Sequence, residues 1–170
     1  ILAIIIKLET KGPLFFVQKR NGLNYHEFDC YKFRSMNLNP AAHLEQVSKN
    51  DPRITRVGRF LRKTSIDELP QFINVFLGQM SVVGPRPHMV SHTEMYAQRV
   101  NKFMVRHFVK PGITGLAQTK GYRGEVEKET DIINRVKYDI FYMENWSILL
   151  DIKIIFMTIF NTIKGEDKAY

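Results

Sequence analysis

Apolar residues recur along the chain in short bursts whose spacing changes from segment to segment. Residues 1–9, ILAIIIKLE, read as the tail of an apolar helix, stopped by Gly12 with Pro13 beyond. The β-rich runs LFFVQKR and HEFDCYKFR flank NGLN, a Gly/Asn turn, which predicts a β-hairpin. Residues 39–50 read as a helix or loop. Helices follow over about Ile54–Lys63 and Glu68–Leu77, the second ended by Gly78. SVVGPRPH reads as a short strand entering a rigid loop, His92–Arg106 as a polar-faced helix and KPGITGLAQ as a glycine loop. Asp131–Glu144 and an amphipathic stretch over Ser147–Lys164 complete the helices. The sum is a single α+β domain, mostly helical, with a small antiparallel hairpin. The strand–helix alternation of a doubly wound sheet is missing.

Composition adds a direction to this picture. The 170 residues suffice for one domain with a core, and 44% of them are hydrophobic. The net charge of +8 favours an anionic partner: nucleic acid, a phosphorylated small molecule or an anionic membrane surface. A single cysteine, Cys30, excludes an internal disulfide. No signal-peptide pattern is visible, and the first residue, Ile1, points to a fragment of a longer chain. No run reaches the 18–20 apolar residues of a membrane span. Ser147–Lys164 has Asp151, Thr158, Asn161 and Thr162 near one side and Ile, Leu and Phe over the rest. Such a helix either packs on the core or lies in a membrane interface with Trp146 near the headgroups. Twelve phenylalanines, the apolar start and the positive charge favour the interface.

The stretch TSIDELPQ, Thr64–Gln71, sets Asp67 beside Glu68 just after a run containing Arg53, Arg56, Arg59, Arg62 and Lys63. Two readings compete. Ser65-Ile66-Asp67-Glu68 matches a capping box, in which the acids merely suit a helix start. Pro70 strains that reading: at the fifth helical position it removes a hydrogen bond, so a bent or restarted backbone is expected. Alternatively, a carboxylate ringed by cations stays ionised and nucleophilic, and its neighbour holds Mg²⁺ with substrate phosphate oxygens. In GPRP, Arg86 stands between two prolines that restrict its backbone, which suits phosphate recognition. Lys110, Gly112 and Gly115 could bring backbone N–H groups to an anion. Lys32 and Arg34 in YKFR, Arg62, Gln118 and Arg123 in GYRGE are further candidates for the same site. His88 and His92 have the i,i+4 spacing of a zinc pair but lack the glutamate of HExxH.

Four segments in order, GPLFFVQKRNGLNYHEFDCYKFRSM, DPRITRVGRFLRKTSIDELPQFINVFLGQMSVVGPRP, KPGITGLAQ and YDIFYMENWSILLDIKIIF, resemble the bacterial sugar transferase family, the monotopic phosphoglycosyl transferases. The resemblance spans nearly the whole chain. It implies transfer of a sugar 1-phosphate from a UDP-sugar to undecaprenyl phosphate, releasing UMP, as the first membrane step of exopolysaccharide, capsule or O-antigen synthesis. It implies Asp67 as nucleophile on the β-phosphorus, Glu68 as ligand of a Mg²⁺ cofactor near Asp67, and Arg86 as a phosphate ligand. It also implies a place on the cytoplasmic leaflet of the bacterial inner membrane, through interfacial amphipathic helices, and leaves a homo-oligomer open. Residues 1–11 resemble the C-terminal half of a re-entrant membrane helix, and 12–170 the catalytic domain. GYRGE resembles hexose-transferring members, so UDP-glucose or UDP-galactose is the expected donor and nucleic acid is not an expected partner. The competing readings are a metal-dependent phosphohydrolase, a basic nucleic-acid-binding module and an inactive membrane-surface scaffold.

Overall fold

The computed structural model describes residues 1–38, 51–124, 126 and 128–165. The expected helix or loop over 39–50 lies outside these. Helix α1 (Leu2–Glu9) leads to a hairpin, β1 (Phe15–Asn21) and β2 (Glu27–Phe33), paired antiparallel from Phe15 opposite Phe33 to Asn21 opposite Glu27. The turn is longer than the Gly/Asn motif predicts, because Asn21 stays in the strand and Leu23–Tyr25 form a 3₁₀ turn. On β2, Phe28 and Cys30 are buried while Glu27 and Asp29 are exposed. The two-residue period of a strand then carries Lys32 onto the inward face.

Helix α2 (Arg56–Lys63) starts at Thr55, whose hydroxyl accepts from the Gly58 amide at 2.8 Å. After a 3₁₀ turn at Ile66–Glu68, α3 (Gln71–Phe76) restarts with Pro70 at its N-cap and ends ahead of Gly78, at φ +75°. At the N-cap the missing proline N–H costs nothing. Asn74, fully buried on α3, accepts from the Tyr31 amide at 3.1 Å and donates to the Asp29 carbonyl at 2.7 Å. It thereby substitutes for a neighbouring strand at the edge of β2 and fixes the Asp67–Glu68 turn beside the hairpin.

The segment read as a glycine loop is instead β4 (Gly112–Thr114), paired in parallel with β3 (Ser81–Val83), followed by the short α5 (Leu116–Thr119). The glycines serve backbone approach. A Cβ on Gly112 would lie 2.1 Å from the Gly84 nitrogen, and one on Gly115 would lie 2.2 Å from the Gly84 carbonyl oxygen. The Gly112 amide is spent on the Pro85 carbonyl at 2.9 Å, so it is not offered to an anion. The helix expected over His92–Arg106 is also divided. Helix α4 (Val90–Arg99) stops, Lys102 takes φ +61°, and Phe103–Phe108 continue as 3₁₀ turns. The break lets Phe103, fully buried, turn into a cluster with Tyr96, Val100, Ile132 and Val136, and that burial outweighs helix continuity.

Helices α6 (Glu129–Glu144) and α7 (Ile148–Lys164) close the fold. Tyr142 and Ile154 pack on Val83 and Leu116, so the parallel pair sits at the centre. Much of the outer side of α3 and α7 stays apolar and exposed: Phe76 is 93% exposed and Ile163 81%. Among the described residues no helix is long and apolar enough to cross a membrane.

Candidate active site

The capping box does not form. Ser65 takes a left-handed conformation (φ 57°, ψ 14°), makes no cap bond, and its hydroxyl accepts from Arg123 Nη1 at 2.7 Å. A non-glycine residue held there is strained, and the strain turns the chain so that both Asp67 and Glu68 are buried.

The two acids differ sharply. Glu68 is the hub. Its Oε1 accepts from Lys32 Nζ at 2.8 Å and Arg86 Nη2 at 2.6 Å; its Oε2 accepts from Arg86 Nη1 at 3.3 Å and Arg123 Nη2 at 3.2 Å. The Arg86 pair is two-pronged, the stronger geometry for a guanidinium on a carboxylate. Burial alone would raise the Glu68 carboxyl; Arg86, Lys32 and Arg123 outweigh it and hold it well below the usual carboxylate range. Asp67 makes no such contacts. Its Oδ1 is buried without a hydrogen-bond partner. Burial and then the charge of Glu68 push its carboxyl up, against the pull of Lys32, Arg62 and Arg123. The sequence suggests a carboxylate that its cations keep ionised; at Asp67 burial and Glu68 outweigh them, and what suits it to attack on phosphorus is an oxygen free of hydrogen-bond partners.

Of the residues singled out in the sequence, Lys32, Arg86 and Arg123 meet at Glu68. The contacts thus centre on Glu68, not on Asp67 as the sequence suggests. Arg62 lies within the fields of Asp67, Glu68 and Asp51 and reaches Met36 Sδ at 3.7 Å. Gln118 donates to the Ile113 carbonyl at 3.2 Å, leaves Oε1 buried without a partner, and lines a pocket together with Glu68 and Arg123. Arg34 is placed differently from the expectation. It donates to the carbonyls of Thr10 and Lys11 at 2.8 and 2.7 Å, because it lies past the end of β2 next to the open C-terminus of α1. His88 stacks edge-on against Tyr96 and Phe103, and burial pushes its pKa well below the usual value. Among the described residues no three His, Cys, Asp or Glu side chains cluster to hold a metal.

Three contributors carry no local sequence signal. Arg106 Nη2 donates to the Arg86 carbonyl at 2.7 Å and to Asp139 Oδ2 at 2.7 Å, an ion pair with both side chains 2% exposed. Arg20 donates to the Pro87 carbonyl at 3.3 Å from β1. The carbonyls of Arg86 and Pro87 are thus gripped, one from the 3₁₀ segment Phe103–Phe108 with Asp139 of α6 behind it and the other from the hairpin, which aims the Arg86 side chain at Glu68. Only a period-2 argument on β1, which places Arg20 on the face of Gln18, could have suggested part of this.

The family model described as bacterial sugar transferase matches residues 1–165. The chain belongs to that family. Among curated members, a UDP-glucose:undecaprenyl-phosphate glucose-1-phosphate transferase of Klebsiella pneumoniae is 52% identical, over 94% of this chain and 35% of its own length. One of the same description from Escherichia coli K12 is 49% identical, over 94% and 34%. A UDP-N-acetylgalactosamine-undecaprenyl-phosphate N-acetylgalactosaminephosphotransferase of Aeromonas hydrophila is 42% identical, over 96% and 38%. This sugar-transferase chain therefore spans about a third of the length of these relatives.

Proposed function

We propose that the chain carries the catalytic site of a phosphoglycosyl transferase, moving a sugar 1-phosphate from a UDP-sugar to undecaprenyl phosphate. The observation that carries this is the unpartnered Oδ1 of Asp67 beside a Glu68 that gathers Lys32, Arg86 and Arg123. A diphosphate entering here meets these cations, and Asp67 attacks the phosphorus that bears the sugar. The bond to UMP breaks, UMP leaves with its phosphate, and the sugar phosphate stays on Asp67. An oxygen of the lipid phosphate then attacks the same phosphorus, and the bond to Asp67 breaks to restore the carboxylate. One phosphoanhydride replaces another, so little driving force is needed. Arg86, Lys32, Arg62 and Arg123 offset charge on the transferring group.

Mg²⁺ belongs to this reading. The two carboxylates supply the oxygens such an ion takes beside substrate phosphates, with Glu68 as its ligand close to Asp67. In this structure both Glu68 oxygens already face Lys32, Arg86 and Arg123, so Glu68 would hold the ion in exchange for part of that shell, with the unpartnered Oδ1 of Asp67 beside it. When bound, the ion supplies positive charge to the diphosphate oxygens. The names of the first relatives support UDP-glucose as donor, with UDP-galactose the alternative. The exposed apolar sides of α1, α3 and α7 support a seat in a membrane interface, which the transferase reading puts on the cytoplasmic face of the bacterial inner membrane.

Intact mass of the full chain with Mg²⁺ and a panel of UDP-sugars, without lipid, tests the reading. A sugar phosphate gained by wild type and not by Asp67→Asn is expected. UMP release only when undecaprenyl phosphate is present would remove the covalent step. Sugar phosphate freed into water without lipid would make the protein a hydrolase.

A further inference from the structure

One pocket among the described residues joins Glu68, the neighbour of Asp67, to the apolar outside. Glu68 and Arg123 form its charged end; Leu69 and Phe72, each about half exposed, form one flank; Thr158 and Thr162 of α7 form the other. It thus lies between α3 and α7, whose outer sides expose Phe72, Ile73 and Phe76 on the one and Phe156, Phe160 and Ile163 on the other.

We propose that this pocket receives the first isoprene units of the polyprenyl phosphate acceptor, with the phosphate toward Arg123 and the chain leaving between α3 and α7. The proposal rests on the transferase reading and assigns its acceptor a place. The chemistry of the walls selects the occupant. The hydroxyl hydrogens of Thr119, Thr158 and Thr162 are given to the carbonyls of Leu116, Ile154 and Thr158 at 2.8–2.9 Å, and the Asn161 amide donates to the Thr119 carbonyl at 3.0 Å. With the threonine hydroxyl hydrogens spent and one of the two Asn161 N–H groups in use, these residues offer a ligand mainly methyl and methylene surface and a few acceptor oxygens, beside Leu69, Phe72 and Ile113. An unsaturated hydrocarbon needs nothing more, whereas a hexose arriving here would leave several hydroxyls short of donors. What speaks for a hexose is Gln118 Oε1, buried without a partner, with the second Asn161 N–H and the threonine oxygens beside it. The positions of the openings agree with the lipid. A water-soluble nucleotide sugar gains nothing from a rim of exposed Leu and Phe, while a lipid phosphate reaches Arg123 without drawing its chain through water.

The test compares wild-type full chain with Thr162→Trp and Asn161→Trp, each filling the pocket from α7, in vesicles containing undecaprenyl phosphate. KM for the lipid is expected to rise at least about tenfold more than KM for UDP-glucose, about 1.4 kcal/mol of selective acceptor loss. A rise confined to the UDP-glucose KM would assign the pocket to the sugar and overturn the proposal, as would no change in either. Should the bulky variants unfold, a polyprenyl phosphate carrying a photoreactive diazirine beside its phosphate is crosslinked to wild type. Label on peptides containing 69–72 or 158–162 supports the pocket; label only elsewhere removes it. If wild type transfers nothing to lipid, the transferase reading fails, while the crosslink still reports what enters the pocket.

Discussion

Asp67 and Glu68 are adjacent, and both are buried, yet one carboxyl is pushed up and the other held far down. The consequences for stability have opposite signs. Asp67's raised value means that the fold favours its neutral form. That contribution is complete below the unfolded value of about 4 and is lost as pH rises through the raised folded value. Asp67→Asn cannot ionise, so at pH 7 it should melt at a higher temperature than wild type, with the gap closing as pH falls toward 4. Transfer should drop at least about a thousandfold in the same variant, about 4 kcal/mol of barrier. Scanning calorimetry beside a UMP-release assay reads both. Glu68's contribution is present above about pH 4.3 and lost as pH falls through its depressed folded value. Glu68→Gln leaves Lys32, Arg86 and Arg123 facing no charge, a loss of about 3 kcal/mol at neutral pH, visible as a lower denaturation midpoint in urea. That deficit should shrink in acid, so the two variants approach wild type from opposite sides as pH falls.

At the scale of elements, the reading from sequence succeeded where a local rule governs and failed where a distant contact does. The hairpin, α2, α6 and α7 follow from periodicity; Ser147, not singled out in the sequence, caps α7 by accepting from the Leu150 amide at 3.2 Å. Pro70 correctly announced a restarted helix. The acid pair, Lys32, Arg86 and Arg123 were legible because charge and proline spacing are local signals. The Arg106–Asp139 pair was not, since its partners stand 33 residues apart. Arg34 misled because β2 ends before it, and an open helix terminus took its guanidinium. KPGITGLAQ misled because glycine serves close packing as readily as anion binding. Gly112→Ala tests the packing explanation. Its Cβ would meet the backbone of Gly84 rather than a movable side chain, so a loss of about 3 kcal/mol in thermal or urea unfolding is expected.

For the whole molecule, apolar exposure and charge predict one behaviour together. Phe160 and Ile163 are 66% and 81% exposed and contribute little to the core. The double change Phe160→Glu, Ile163→Glu should leave the melting temperature nearly unchanged. It should lower partitioning onto anionic vesicles by about tenfold or more in a flotation assay, since each side chain removed forfeits about 1.5 kcal/mol or more of burial. Added salt should weaken wild-type binding only in part, because the net charge of +8 is screened while the apolar contribution is not.

The grip on α1 has a mechanical consequence. Glu9 accepts the Val57 amide at 3.0 Å at the start of α2, and Arg34 holds the carbonyls of Thr10 and Lys11. Helix α1 is therefore a lever welded to the segment that leads into Ser65 and Asp67. If its apolar side is anchored in lipid, the tilt of the lever fixes how high the nucleophile stands above the bilayer. One residue inserted within α1 would lengthen the lever by about 1.5 Å and swing it by about 100°. The site would keep its internal distances and still miss the plane of the lipid phosphates.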